Sequence, residues 1–395
     1  MRIPTAFSYG GLGLRPVVNG LGPVTRLGGL PLSDTVIEAM RWAVATNVRM
    51  DELQEAVGIE LARLLDVPAA YVTSGASAGL TLAAAVCAVG GDSRGVDELP
   101  VTGTRSRVIV QMAHRDPYDH AVTAVGLRLT EIGYPYSTRP HELARELDGT
   151  VAAVLHRLGG NGDVLPLRTV AELSHAAGVP VIVDAADYVP PVSRLRQLMD
   201  DGADLVAVSG GKSFRGPQAS GVLCGRADLI RDVALHHLDM DLREATWQPS
   251  DITGLWPTGG REGIGRGMKV GREQIIGLLV AVCEHVAEPD RWVSHHATEL
   301  AACERALTAC DALRVTRAHN AFLDVATLAI DFSATLLDAD EVARQLDRGT
   351  PRIQLGEQDA WRNVLVVNPL GLAAGEGAQI GERIVGVVRA ASDGT

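Results

Sequence analysis

The chain has 395 residues, with 36 basic against 48 acidic side chains and a formal net charge of −12. Hydrophobic residues make up 46% and charged residues 21%, the balance of a soluble globular protein, which excludes disordered, collagen-like and disulfide-scaffold classes. The acidic excess argues against DNA or transfer RNA as a partner, and the five cysteines (Cys87, Cys224, Cys283, Cys303, Cys310) form no CxxC pair, so neither a metal centre nor a disulfide framework is expected and a reducing, cytoplasmic setting fits.

In chain order, the first 45 or so residues are rich in Gly and Pro and are expected to join a smaller domain or cover a site. Met1 to Gly20 lack the charged-then-apolar pattern of a secretory leader. Ala70–Thr73 is a short apolar run that stops at Ser-Gly, and Ser77–Val89 follows as an apolar helix. The apolar stretch around 79–90 falls short of the ~20 residues that span a bilayer. Strands are expected at Arg107–Met112, Thr150–Arg157, Val181–Val183, Leu205–Val208 and Gly221–Cys224, and a helix at Val170–Ala177. Continuous apolar strands alternating with helices imply a mostly parallel sheet covered on both faces. A long helix is expected from about Met268 to His285, broken by Glu288-Pro-Asp. Beyond it, helix patterns at His296–Thr308, Ala339–Leu346 and Gly375–Val388 alternate with β-like runs at Leu313–Arg317 and Phe322–Ile330. The expected division is therefore residues 1–45 as an N-terminal segment, 46–288 as a large α/β domain and 289–395 as a small α+β domain.

In open parallel sheets, ligands bind beyond the carboxyl ends of the strands, and Ser74, Asp184 and Ser209 all lie there. Thr73-Ser-Gly-Ala-Ser-Ala-Gly79 is a small-residue turn from strand to helix, whose free N–H groups and hydroxyls suit a phosphate. Many such turns bind nothing. Asp184 could pair with a ring N–H⁺, or simply cap a helix. Lys212, in Ser209-Gly-Gly-Lys, follows a buried strand, where an amine can be desolvated into a nucleophile. Its alternative is a surface loop lysine. That alternative loses weight because Lys212 and Lys269 are the only lysines in the chain. Arginine replaces lysine for surface charge, but cannot lose a proton and act as an amine. A phosphate cradle, a strand-end acid and a loop lysine match the needs of pyridoxal 5′-phosphate.

These residues resemble the aspartate-aminotransferase superfamily, fold type I of the pyridoxal-phosphate enzymes. The segment from Asp204 to Gly221, DLVAVSGGKSFRGPQASG, is similar to the lysine segment of bacterial selenocysteine synthase and its relatives, which include D-glucosaminate-6-phosphate ammonia-lyase-like proteins. Asn19–Gly29 and Arg266–Ile275 are similar to segments of the same group, and the resemblance spans roughly residues 15–390. It implies an α/β, aspartate-aminotransferase-like large domain and a smaller α+β C-terminal domain. It implies a Schiff base on Lys212, Asp184 on the pyridine nitrogen, and Ser74, Gly75, Ala76, Ser77 and Ser209 around the phosphate. His114 would stack on the ring, and Arg266 and Lys269 would reach the phosphate. Arg352 would take the substrate carboxylate, with Arg26 and Tyr118 as further substrate-side residues. Apart from the resemblance, Arg26, Arg115 and Arg352 together suggest an anionic group on the substrate.

The activity implied is action on an amino acid through a Cα carbanion, with α,β-elimination of the ammonia-lyase or dehydratase type placed first. Racemisation or epimerisation and transamination on the same scaffold are the alternatives. Selenium transfer, a non-catalytic cofactor-binding role and a nicotinamide-binding fold come behind them. Selenocysteine synthase is longer at its N-terminus, where it handles transfer RNA. The resemblance also implies a homodimer.

Overall fold

The computed structural model describes residues 8–159, 162–187, 192–212, 214–239, 262–320 and 323–393. The chain divides into two compact units, one of residues 32–287 and one of residues 1–31 with 288–395. Strand β1 (Val17–Gly20) lies in the second unit. The first unit holds β2 (Ala69–Thr73), β3 (Arg107–Gln111), β4 (Arg128–Ile132), β5 (Val151–Arg157), β6 (Val181–Asp184), β7 (Leu205–Ser209) and β8 (Gly221–Gly225). The second unit adds β9 (Arg314–Asn320), β10 (Val325–Asp331), β11 (Arg352–Leu355) and β12 (Val364–Val367).

In the larger unit the seven strands form one sheet in the order β2-β8-β7-β6-β5-β3-β4. β4, β3, β5, β6 and β7 run parallel, and β8 is antiparallel to both its neighbours. Separate apolar clusters cover the two faces. Ile182, Leu205, Ala207 and Leu155 pack with the helix Ala76–Val89 on one face. Val181, Val183, Val206 and Val154 pack with the helix Met50–Leu65 on the other. Helix Ala76–Val89 is apolar nearly all round because it is buried nearly all round.

β2 is a sheet edge, and an uncovered edge leaves backbone groups unpaired. Buried Gln54 solves this for Val72: its Nε2 donates to the Val72 carbonyl (2.9 Å) and its Oε1 accepts the Val72 N–H (3.2 Å). One turn on, Gly58 lets the helix approach, since a Cβ there would lie 2.5 Å from the Ala70 carbonyl oxygen.

In the smaller unit, β12-β10-β9 form an antiparallel sheet and β1 pairs with β11 in parallel, Val17 opposite Arg352. Helices Val293–Leu307 and Glu376–Asp393 pack together, with Gly377 and Gly381 placed where a Cβ would strike the Glu299 and Cys303 carbonyl oxygens. The buried Glu299 carboxylate accepts the N–H groups of Gly375 (3.0 Å) and Gly377 (2.8 Å), satisfying donors at a helix N-terminus.

Two expectations shift. The first boundary falls at 31 rather than 45, because Asp34–Val44 is a Ser33-capped helix that packs on Arg272–Ala287 of the larger unit. The long helix begins at Arg272 rather than Met268, because the Met268 carbonyl is engaged by His237 Nε2 (3.0 Å). No helix among the described residues is long and apolar enough to cross a membrane.

Replacing Gln54 by Leu strands a buried donor and acceptor, and is expected to lower the unfolding free energy by about 1–3 kcal/mol, read by urea denaturation.

Candidate active site

The carboxyl ends of the parallel strands set the geometry. Register places Thr73, Gly221 and Ser209 side by side across β2, β8 and β7, and Ala207, Asp184 and Arg157 side by side across β7, β6 and β5. With strands ~4.8 Å apart, Thr73 and Ser209 are two spacings, ~10 Å, from each other. Alternation puts Asp184 and Ser209 on the sheet face of Ile182 and Ala207, the face covered by helix Ala76–Val89. The helix N-terminus, the strand-end acid and Ser209 thus share one face at one end.

The turn Ser74-Gly75 depends on backbone freedom. Gly75 has φ +134°, a region that side chains disfavour, and open space lies where its Cβ would be. Gly221 lets the turn sit against β8, since a Cβ there would lie 2.7 Å from the Gly75 carbonyl carbon. Thr73 Oγ1 donates to the Gly75 carbonyl (2.9 Å) and fixes the turn. The first N–H groups of the helix have no intrahelical acceptor, so this turn offers them to an anion.

Asp184 is half-buried and takes one hydrogen bond, from the Ala186 N–H (3.0 Å). Burial raises its carboxyl above the usual carboxylate range, and Asp116 and Asp187 push the same way against that bond and Arg157. A carboxylate so placed favours a nearby cation or N–H⁺ donor. Arg157 itself is held by Asp116 at 3.0 Å.

His114 is buried just beyond β3. Burial, helped by Arg157, lowers its imidazole to about 4, so it is neutral at pH 7. Its Nδ1 accepts the Arg157 N–H (3.4 Å), which leaves the proton on Nε2. His156 stands edge-on to it, ring centroids 4.6 Å apart at 84°, with its own imidazole lowered to about 3 by burial and by His114. The buried Nδ1 of His156 has no hydrogen-bond partner.

Lys212 lies three residues past β7, its side chain 17% exposed, and Nζ donates to the Asp187 carboxylate. The fold therefore brings Ser74, Gly75, Ala76, Ser77, Asp184, Ser209, His114 and Lys212 to the same sheet end. The other sequence candidates have surroundings of their own. Lys269 is exposed on the turn before helix Arg272–Ala287, and Arg266 pairs with Asp239 and Glu262. Arg115 is engaged by Asp119 and Glu131. Tyr118 is exposed on a turn capped by Asp116. In the smaller unit, Arg26 is exposed on a cleft of about 110 Å³ with Asp347, Gln354 and Glu357, and Arg352 opens β11 with its buried Nε unpartnered. Sequence reasoning missed Asp187, Arg157 and His156. A second acid in Asp184-Ala-Ala-Asp187 and polar residues ending the apolar β5 run were the available signals. No group of three or more His, Cys, Asp or Glu side chains that could hold a metal occurs among the described residues.

No family model matches the chain. It is 31% identical over 384 residues to a 5′-C-glycyluridine monooxygenase-decarboxylase of a Streptomyces species, covering 92% of this chain and 88% of that one. It is 28% identical over 398 residues to D-glucosaminate-6-phosphate ammonia lyase of Salmonella typhimurium, covering 98% and 99%. An L-seryl-tRNA(Sec) selenium transferase of Edwardsiella ictaluri is 30% identical over 260 residues, 58% of this chain and 53% of that protein. A solved structure of D-glucosaminate-6-phosphate ammonia-lyase superposes with a TM-score of 0.82 at 26% identity, covering 99% of this chain and all of that one.

Two measurements follow. Unfolded histidine titrates near 6.5, while folded His114 and His156 titrate near 4 and 3. The unfolded chain binds more protons in between, so their contribution is intact above about pH 6.5 and is lost as pH falls toward 4 and 3. The stability of His156→Gln, followed by urea unfolding from pH 7 to 4, should fall less steeply than that of the parent. Asp184 carries the opposite sign: its folded value is raised, so its charged form costs stability as pH rises through that value. Cofactor-free Asp184→Asn should melt higher than the parent at pH 8, with the gain gone at pH 4.

Proposed function

The chain belongs to the fold type I pyridoxal-phosphate enzymes, in the group of D-glucosaminate-6-phosphate ammonia lyase and selenocysteine synthase, and on that premise we propose that it is a pyridoxal-phosphate-dependent lyase acting on an amino acid. The observation that carries this reading is the meeting of a desolvated acid, an open helix N-terminus and one of only two lysines at a single sheet end.

The residues fit the cofactor. Asp184 lacks the cation its burial calls for, and a protonated ring nitrogen would supply it. The space beside Gly75 and the free N–H groups of Gly75, Ala76 and Ser77 suit a phosphate, with the Ser74, Ser77 and Ser209 hydroxyls as further donors. Lys212 would hold the cofactor through its amine. His114, kept neutral by burial, offers an uncharged aromatic ring for stacking. Pyridoxal 5′-phosphate, when bound, supplies an electron sink for the pair left on a substrate Cα.

Each residue then has a task. Lys212 Nζ, once free, takes the Cα proton. Asp184 keeps the ring nitrogen protonated by holding its N–H⁺. Ser74–Ser77 and Ser209 fix the phosphate end. As the resemblance implies, Arg352 would take the substrate carboxylate, with Arg26 and Tyr118 as further substrate-side residues and Lys269 as a further phosphate ligand. Loss of a β-substituent after proton removal gives elimination, which the full-length likeness to the ammonia lyase supports. The 31% likeness to a monooxygenase-decarboxylase supports a second reading: loss of the Cα carboxylate, with dioxygen as co-substrate. A homodimer and a cytoplasmic setting belong to the proposal, the first supported by exposed Ile37, Trp42, Val44, Val48 and Ile59 along residues 34–65, the second by five free cysteines.

Mixing the protein with pyridoxal 5′-phosphate should produce an absorption band near about 410–430 nm, and borohydride reduction should leave the pyridoxyl mass on Lys212. Lys212→Ala should show neither, and full activity in that variant would sink the proposal. With a panel of D- and L-amino acids, release of ammonia and keto acid identifies elimination, whereas oxygen uptake with carbon dioxide release identifies the second reading.

A further inference from the structure

One of the two lysines has a carboxylate of its own. Lys212 Nζ donates to Asp187 Oδ1, with the lysine mostly covered and Asp187 54% exposed. The pairing follows from topology. Asp187 lies three residues beyond the end of β6 and Lys212 three beyond the end of β7, and β6 and β7 are parallel neighbours, so their loops emerge side by side. The other charged groups at this sheet end have different engagements. Arg157 on β5 is held by Asp116 from the turn after β3 (3.0 Å). Asp184 accepts the Ala186 N–H. Arg215 meets Lys212 through its backbone, its N–H donating to the Lys212 carbonyl (2.9 Å).

We propose that Asp187 is the counter-ion of Lys212, a positioning residue that engages the lysine amine in the cofactor-free protein and receives it again whenever Lys212 takes a proton. A hydrogen bond between two ions is roughly twice as strong as a neutral one, and an amine so engaged is not free to attack. In the cofactor-free protein the pair therefore slows attack of the amine on a carbonyl. During turnover the substrate Cα–H bond breaks, an N–H bond forms at Nζ and the electron pair stays with the substrate side. The new ammonium then faces a carboxylate already in place. The inference rests on the reading of Lys212 as the cofactor lysine.

The near-absence of lysine makes the test direct. Cofactor-free parent, Asp187→Asn and Asp187→Glu are treated with limiting acetic anhydride at pH 8. Acetylation of Lys212 is read by peptide mass spectrometry against that of exposed Lys269 in the same molecule. The ratio should rise several-fold in Asp187→Asn, where the amine is no longer held in an ion pair, and return toward the parent in Asp187→Glu. An unchanged ratio in Asp187→Asn, or an equal rise in both variants, overturns the inference. Capture of pyridoxal 5′-phosphate, trapped with borohydride, separates the two readings. No pyridoxyl on Lys212 of the parent defeats the cofactor assignment. Label on Lys212 at the same initial rate in parent and Asp187→Asn defeats the role of Asp187 alone, since faster capture in Asp187→Asn is expected.

Discussion

A partly buried carboxylate at the end of β6 is the constraint on which the candidate site depends. Asp184 receives one backbone hydrogen bond, and burial disfavours its charge. Such a group is costly unless a cation or a strong donor completes it. Everything near it acts on that deficit: Arg157 relieves it, while Asp116 and Asp187 deepen it.

The opposite end of the same sheet shows what a completed buried aspartate looks like. Asp204 is 4% exposed, and its oxygens accept from the Val181 N–H (2.7 Å), His175 Nε2 (2.8 Å) and Arg226 Nη1 (3.0 Å). It ties the start of β6 to the end of the helix Leu167–Ala176 and to Arg226 just past β8, and needs no ligand. Two acids on neighbouring strands thus divide by their hydrogen bonds: one is finished by the protein, and the other is left open. The histidines follow the same logic. His114 and His156 stay neutral because burial outweighs any stabilisation of their charge, which suits an aromatic surface better than a general acid at neutral pH.

Relatives at 28–31% identity over nearly the whole chain bear the names of different reactions, an ammonia lyase and a monooxygenase-decarboxylase. A scaffold that presents an amine, an acid and an anion cradle serves any reaction that begins by breaking a bond at Cα. The residues that choose among outcomes act on the substrate, and fold alone does not identify them.

The buried parallel strands were legible because their apolar, β-branched runs stop at polar residues or glycine: Val181–Asp184 and Leu205–Ser209 are cases. β1, β4, β11 and β12 were not read, since short or half-exposed strands such as Arg128–Ile132 lack that pattern. The amphipathic helices over residues 34–65 were likewise passed over, which misplaced the first boundary. Sequence by itself determined which residue types could do amine chemistry: with two lysines, a strand-end acid and a small-residue turn, few candidates existed. Only the tertiary structure decided the partners. That Asp187 meets Lys212, that His156 stands against His114 and that Asp116 holds Arg157 depend on which strands lie side by side. Strand order is fixed by long-range packing, which local pattern does not encode.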